Sequence, residues 1–350
     1  MSRHTTNLSM KRFLKNSLLS AEKMFGLFRK YRERNKSRLL VLCYHSVVSD
    51  SSPVNSRTNI AVSQSEFEKQ IALLREHWTP VSLAEIESVC FAQKSLPDYS
   101  VLVTFDDGFR NNFTLAAPIL KKYEVPAIVF LTTGLIGNNE LLWPQEVREH
   151  TTSVFLKSGV SEALAEKTVE KVIAECKEMF QEDRTVYLEE MRKSMTLDLD
   201  EPWQKELYEF MSWDEVRQIR EFGVELGGHT VSHPILSSLP PEKLREELRL
   251  CKEKIESETG VECYSFAYPN GGKADFNETV SEEVKQAGFR IVFNLYERRN
   301  SVVLNPMSID RLCVTRDVSL LKFEKLLGHL GEEDIWDKNE KGYGLQRKNH

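Results

Sequence analysis

The sequence predicts an α/β protein of parallel strands joined by crossover helices, and three observations predict it. Short apolar runs alternate with segments of helical periodicity from residue 39 to residue 330. The run Val101–Phe105 is almost wholly apolar, as a strand covered on both faces must be. The chain of 350 residues, 41% hydrophobic and 29% charged, has the make-up of an ordinary globular protein, long enough to bury its core without disulfides or a structural metal.

Leu39–Tyr44 opens the pattern as the first strand. Ser63-Gln-Ser-Glu66 and Ser82-Leu-Ala-Glu85 are capping boxes, each starting a helix with apolar residues at helical spacing. Strand Val101–Phe105 runs directly into Asp106-Asp107-Gly108, and helix Phe113–Tyr123 and strand Ala127–Leu131 follow. Residues 140–211 read as a charged helical insertion. A third capping box, Ser212-Trp-Asp-Glu215, starts helix Trp213–Phe222 before strand Val224–Leu226. Pro241 opens helix Glu242–Glu258, and strand Ser265–Ala267 comes next. Helix Glu278–Ala287, closed by Gly288, then strand Arg290–Phe293, the run Arg311–Val314 and helix Leu320–Leu330 complete roughly seven β/α units. Such a pattern builds a parallel barrel or an open sheet, and either places chemistry at the carboxyl ends of the strands. Gly134-Leu-Ile-Gly137 lacks the third glycine of a dinucleotide loop and the lysine of a phosphate loop.

The ends differ from the middle. Residues 1–38 carry a net charge of +9, against −6 for the whole chain. Met10, Leu14, Leu18, Ala21, Phe25 and Phe28 form an apolar stripe among the basic residues, which suits an anionic membrane surface, a helix packed on the domain, or a basic, partly ordered arm. Lys15, Glu22 and Lys23 interrupt any secretory h-region. The expected organisation is a basic amphipathic segment 1–38, an α/β domain 39–330 and a flexible polar tail 331–350. The six cysteines lack any Cys-x-x-Cys spacing and read as buried reduced thiols. They favour a cytoplasmic protein, with residues 1–38 a candidate peripheral contact with the inner membrane face. No nucleic-acid partner is expected.

Two adjacent carboxylates at the end of a buried strand require a cation, and a metal ion meets that need. His229-Thr-Val-Ser-His233, entered from a strand through two glycines, places two imidazoles on one face if that stretch takes a helical turn. Two histidines with one carboxylate make an open three-ligand site for Zn, Co, Ni, Fe or Mn, with Zn the first choice. The remaining carboxylate is placed to act as general base. Phosphotransferases with an aspartyl nucleophile set their two aspartates at i and i+2, so the adjacent pair here argues against that class.

Thr104-Phe-Asp-Asp-Gly108 with His229-Thr-Val-Ser-His233 resembles the first two signature motifs of the polysaccharide deacetylases, the carbohydrate esterase family sharing the NodB homology domain. Phe266-Ala-Tyr-Pro-Asn-Gly271 resembles the third, and Ile309-Asp-Arg-Leu312 a late arginine-bearing strand. Leu42-Cys-Tyr-His-Ser-Val47 resembles the branch with an N-terminal Tyr-His dipeptide, which includes biofilm poly-N-acetylglucosamine deacetylases. The resemblance implies a distorted (β/α) barrel of about seven parallel strands. It implies that Asp107, His229 and His233 bind the metal, that Asp106 is the base, and that Arg311 pairs with Asp106 to keep it ionised. It also implies a backbone N–H near Tyr268 as oxyanion donor, and removal of N-linked acetyl groups from a polysaccharide, oligosaccharide or lipid-linked sugar. A deformylase or other amide hydrolase of the same fold, or a non-catalytic carbohydrate-binding relative, are the alternatives.

Expulsion of the amine needs a general acid. His4 and His350 lie in the termini, His77 and His150 on charged helical segments, and His229 and His233 are committed to metal, which leaves His45 and His329. His45 follows the first strand and so lies on the same face as Asp106, whereas His329 sits near a helix end on the outer layer. His45 is therefore the expected acid. Tyr268 and Phe109 are alternatively plain core aromatics, and Trp143 and Trp213 either cap a core or offer platforms for sugar rings.

Overall fold

The computed structural model describes residues 17–329 apart from 18, 21, 54–57, 59, 139, 160, 195–196, 198–200 and 317. Ten strands occur among these residues: β1 (Leu40–Tyr44), β2 (Ser46–Val48), β3 (Ala61–Ser63), β4 (Thr79–Pro80), β5 (Ser100–Phe105), β6 (Ala127–Leu131), β7 (Val224–Gly228), β8 (Ser265–Ala267), β9 (Ile291–Phe293) and β10 (Leu312–Cys313). The main sheet is parallel throughout and runs β10-β1-β5-β6-β7-β8-β9, with β4 paired to the start of β5. Residues 306–311 then run along β9 before entering β10. The Asn294 amide donates to the Ile309 carbonyl (2.9 Å), and the Ile309 amide to the Val292 carbonyl (2.8 Å). The two sheet edges are thereby drawn together, and the sheet curls into the distorted barrel the sequence implied. The short parallel pair β2 and β3 was not anticipated.

Alternation along β1 sorts the core. Leu40, Leu42 and Tyr44 face the surrounding helices, while Leu39 and Val41 join Leu102, Ile128, Phe130, Ile291 and Phe293 inside the curl. Helices α1 (Leu27–Arg34) and α2 (Gln64–His77) precede α3 (Leu83–Phe91). The last of these plugs the amino-terminal end of the barrel with Leu83 and Ile86. The Leu83 amide, at the first turn of α3, donates to the carboxylate of Glu225 at 2.8 Å, an anion placed at a helix N-terminus. With that end closed, the opposite end is free for a site.

Two of the three capping boxes form completely, at Ser82 and Ser212. Ser63 accepts only the Glu66 amide, because the Glu66 carboxylate pairs with Lys69 at 2.6 Å. The expected helix Phe113–Tyr123 divides into a π-wound turn, Asn112–Ala116, and α4 (Ala117–Lys122). Pro118 has no N–H to give and crowds the preceding turn, which opens accordingly. The insertion is helical as expected: α5 (Trp143–Lys157), α6 (Glu162–Glu178), α7 (Gln181–Ser194) and α8 (Pro202–Tyr208). Trp143, Val147, Val169, Ile173, Cys176, Leu188 and Met191 form a core of its own that also takes in Ile235. After it come α9 (Trp213–Gln218), α10 (Pro241–Thr259), α11 (Glu278–Gln286) and α12 (Leu320–His329).

Of the apolar stripe near the N-terminus, Met10, Leu14, Leu18 and Ala21 lie outside the described residues, as does the tail 331–350. Leu19 and Phe28 are buried, whereas Met24 and Phe25 are exposed. Lys23 pairs with Glu324 and Lys325 with Glu22, both at 2.6 Å, and Asn35 donates to the Gly328 carbonyl. This part of the segment therefore packs on α12, one of the arrangements its pattern allowed. Among the described residues no helix is long and apolar enough to cross a membrane.

Candidate active site

The site lies where β1, β5, β7 and β10 end. Asp106 leaves β5 with its amide bonded to the Tyr44 carbonyl, and the chain then turns sharply, with Asp107 at φ 75° and Gly108 at φ 90°. A side chain at Gly108 would be strained by that φ, and its Cβ would come within 2.9 Å of Ile136. This turn points the two adjacent carboxylates in different directions. Asp106 faces Arg311, which binds it with both terminal nitrogens at 2.6 and 2.8 Å. The guanidinium is itself held by the Asn294 carbonyl (3.0 Å) and by Thr104 Oγ1 (3.3 Å), and lies over the Phe130 ring. Burial opposes ionisation of Asp106, but Arg311, aided by His229, holds its carboxyl well below the usual range. The arginine predicted at a strand end is thus buried and paired with Asp106.

Asp107 faces the histidines. Its Oδ1 is 3.6 Å from Nε2 of His229 and 3.6 Å from Nε2 of His233. Burial pushes the Asp107 carboxyl up to about 7, Asp106 adds to the rise, and Oδ1 has no hydrogen-bond partner. Burial likewise lowers His229 to about 4 and His233 well below its ordinary value, so both rings are neutral. His229 presents Nε2 to the site because Nδ1 donates to the Ala267 carbonyl at 2.7 Å, which fixes the tautomer a metal ligand needs. Ligands at about 2.1 Å from a tetrahedral ion stand about 3.4 Å apart. An orphaned buried carboxylate oxygen and two neutral imidazoles at 3.6 Å fit a divalent cation.

The condition of a helical turn over His229–His233 is not met. Thr230 and His233 are left-handed, with φ of 70° and 57°, and the bend is closed by the His233 amide donating to Thr230 Oγ1. Glu247 on α10 takes the Val231 and Ser232 amides at 2.7 and 3.0 Å, which pairs donors that no helix satisfies. Trp143 Nε1 donates to the His233 carbonyl at 3.2 Å, tying the insertion to the same bend. Neither Glu247 nor the anchoring role of Trp143 was read from the sequence. The capping of a bend by a carboxylate from a distant helix leaves no local signal. Phe109 is a core residue against Phe210. Trp213 lies under Lys254.

His45 follows β1 as expected. One of its ring nitrogens, Cys43 Sγ and an Asp106 carboxylate oxygen lie within 4.8 Å of one another. Asn112 holds the His45 carbonyl at 2.7 Å, and Asn111 binds the Val47 amide, so the residues after the Asp-Asp-Gly turn position this loop. Burial works against protonation of His45, but Cys313, Asp107 and Asp106 together push its pKa above the ordinary value. His329 is the last residue of α12.

Tyr268 is the exception among the expected site residues. Its amide donates to the Phe293 carbonyl at 3.1 Å, continuing the β8–β9 ladder. Its ring stacks on Phe276 with centroids 3.9 Å apart, and its hydroxyl bonds Ser281. It is a core residue whose own N–H is engaged, the alternative reading of Tyr268, so Tyr268 itself is not the oxyanion donor expected in its neighbourhood. Two residues on, Asn270 is left-handed at φ 61°, with its side-chain Nδ2 buried and unpartnered.

Residues 93–292 match the family model of the polysaccharide deacetylases. The poly-beta-1,6-N-acetyl-D-glucosamine N-deacetylase of Staphylococcus aureus (strain MSSA476) is 35% identical over 98 residues, 26% of this chain and 33% of that protein. The matches thus span about a third of the curated relatives' own length, between 33% and 38%. Among solved structures, the Streptococcus pyogenes deacetylase PplD in complex with acetate superposes with a TM-score of 0.57 at 18% identity, covering 85% of this chain and all of that one. IcaB from Ammonifex degensii gives 0.55 at 22% identity, covering 83% and 97%. At these identities the structural likeness concerns the fold. Since the matched model covers more than half of the chain, from before β5 to β9, the protein belongs to the polysaccharide deacetylase family.

Proposed function

We propose that this protein is a metal-dependent hydrolase that removes N-linked acetyl groups from an N-acetylated saccharide. The observation that carries the reading is the unpartnered, buried Asp107 Oδ1 at 3.6 Å from two neutral imidazoles, beside a second carboxylate kept ionised by an arginine. Asp107, His229 and His233 would hold the ion, and their two-nitrogen, one-oxygen set suits zinc first. A bound divalent cation would acidify a water and polarise the amide carbonyl. Asp106, 4.0 Å from His229 Nε2, accepts the water's proton. Its lowered pKa makes it a weak base, adequate only for a water already acidified. His45, held in its charged form, gives a proton to the departing amine nitrogen.

Acetate release from N-acetylated oligosaccharides tests the reading directly. His45→Ala is expected to lower turnover by about 10²-fold or more, while His329→Ala stays near wild type. The same ion content in both variants and the reverse order of activities would assign the acid to the C-terminal helix. Metal binding should also move protons. The imidazoles are already neutral, so Asp107 is the group that must ionise. Calorimetry in buffers of differing ionisation enthalpy should show about one proton released near pH 6 and close to none near pH 8. Equal release at both would remove Asp107 from the ligand set.

A further inference from the structure

Beyond the deacetylase reading, the site is flanked by a pair of thiols. β1 and β10 are adjacent parallel strands, and Cys43 is the register partner of Cys313. Neighbouring strands stand about 4.8 Å apart, inside the Cα separation of about 4.4–6.8 Å that a disulfide spans. Cys43 is fully buried and donates its S–H to Asp106 Oδ2 at 3.4 Å, whereas Cys313 retains solvent exposure. The register sets the two side chains on one face of adjacent strands, and Cys43 and His45 draw the Cys313 thiol below its ordinary value despite burial. Burial pushes the Cys43 thiol up. A thiol of lowered pKa in a partly exposed residue, beside a second and fully buried thiol, is the arrangement of a reacting and a resolving cysteine.

We propose that Cys313 and Cys43 form a peroxide-reactive pair that closes to a disulfide beside the base. The Cys313 thiolate attacks one oxygen of hydrogen peroxide, the O–O bond breaks, and Cys313 becomes a sulfenic acid. The hydroxide that leaves takes the proton held by His45 and departs as water. The Cys43 thiol gives up its proton and attacks the sulfenic sulfur, and the S–O bond breaks with loss of a second water. Two thiols lose two electrons in all, and one peroxide gains them. The disulfide removes the S–H that Asp106 accepts and the negative charge by which Cys313 favours protonated His45. Its effect on turnover rests on the roles proposed for Asp106 and His45, whereas the covalent chemistry does not.

The test treats the reduced full-length protein with equimolar hydrogen peroxide, alkylates free thiols, digests, and reads the peptides by mass spectrometry. A cross-linked pair holding Cys43 and Cys313, two hydrogens lighter than the sum and reversed by dithiothreitol, is the expected result. In Cys43→Ser, dimedone should label Cys313. Recovery of both cysteines alkylated, or oxidation confined to the partly exposed Cys90, would overturn the proposal. Acetate release should fall by about 10²-fold in step with the cross-link and recover on reduction. Cys313→Ala, whatever its starting rate, should no longer respond to peroxide. A cross-link that leaves turnover unchanged would count against the proposed roles of Asp106 and His45 and in favour of the thiol chemistry.

Discussion

His233→Ala is expected to lose its equivalent of metal and to lose acetate release with it, since three protein ligands leave no redundancy. Asp106→Asn is expected to separate the two properties. It keeps the shape of the side chain and removes the proton acceptor, so the ion should remain while turnover falls by about 10²-fold or more. Elemental analysis beside an acetate assay reads both. One equivalent of metal retained by His233→Ala would remove that residue from the ligand set. Metal lost from Asp106→Asn would move Asp106 into it. The two adjacent aspartates support opposite expectations because the left-handed backbone at Asp107 sends one towards Arg311 and the other towards the imidazoles.

Arg311→Leu is expected to have the largest effect on stability. It strips a buried carboxylate of its partner, which typically costs about 3–5 kcal/mol. Asp106 in the native protein has its pKa depressed below the unfolded value of about 3.9. It therefore contributes stability at higher pH, which is lost as the pH falls through that value and below. Without the guanidinium, burial dominates and the sign reverses, so the variant should lose stability as the pH rises through the carboxylate range. Denaturant unfolding at several pH values reads this. The acidic limb of the turnover profile should move to higher pH, because a base must be deprotonated to act. An acidic limb identical to wild type would show that Arg311 does not control the charge of Asp106.

The strands were legible because buried parallel strands read as continuous apolar runs. Asp106, Asp107, His229 and His233 were legible because charge at the end of such a run demands explanation. Local winding was harder to read. Pro118 disturbs a turn that apolar spacing alone assigns to a regular helix, and the bend at His229–His233 depends on Glu247, fourteen residues beyond its second histidine. Tyr268 was misjudged because its proline- and glycine-rich surroundings suggest a loop mouth, while its amide is the last rung of a ladder with β9. The thiol pair was invisible in the sequence. Cys43 and Cys313 become neighbours only through the β1–β10 pairing, which joins the two ends of the domain.

That pairing bears on how the chain folds. Arg311 is 205 residues from Asp106, and Asp107 and His233, the proposed metal ligands, lie far apart in sequence as well. A chain emerging from its N-terminus completes β1, β5 and β6 long before the guanidinium exists, so Asp106 remains unneutralised through most of synthesis. Contacts of such separation carry a large loop-closure cost and slow the approach to the native state. A chain ending before residue 311 would therefore hold a bare carboxylate where β10 should dock, and would expose the unpaired edge of β1 to other chains. Docking of β10, near the end of the chain, neutralises Asp106 and covers that edge in one event.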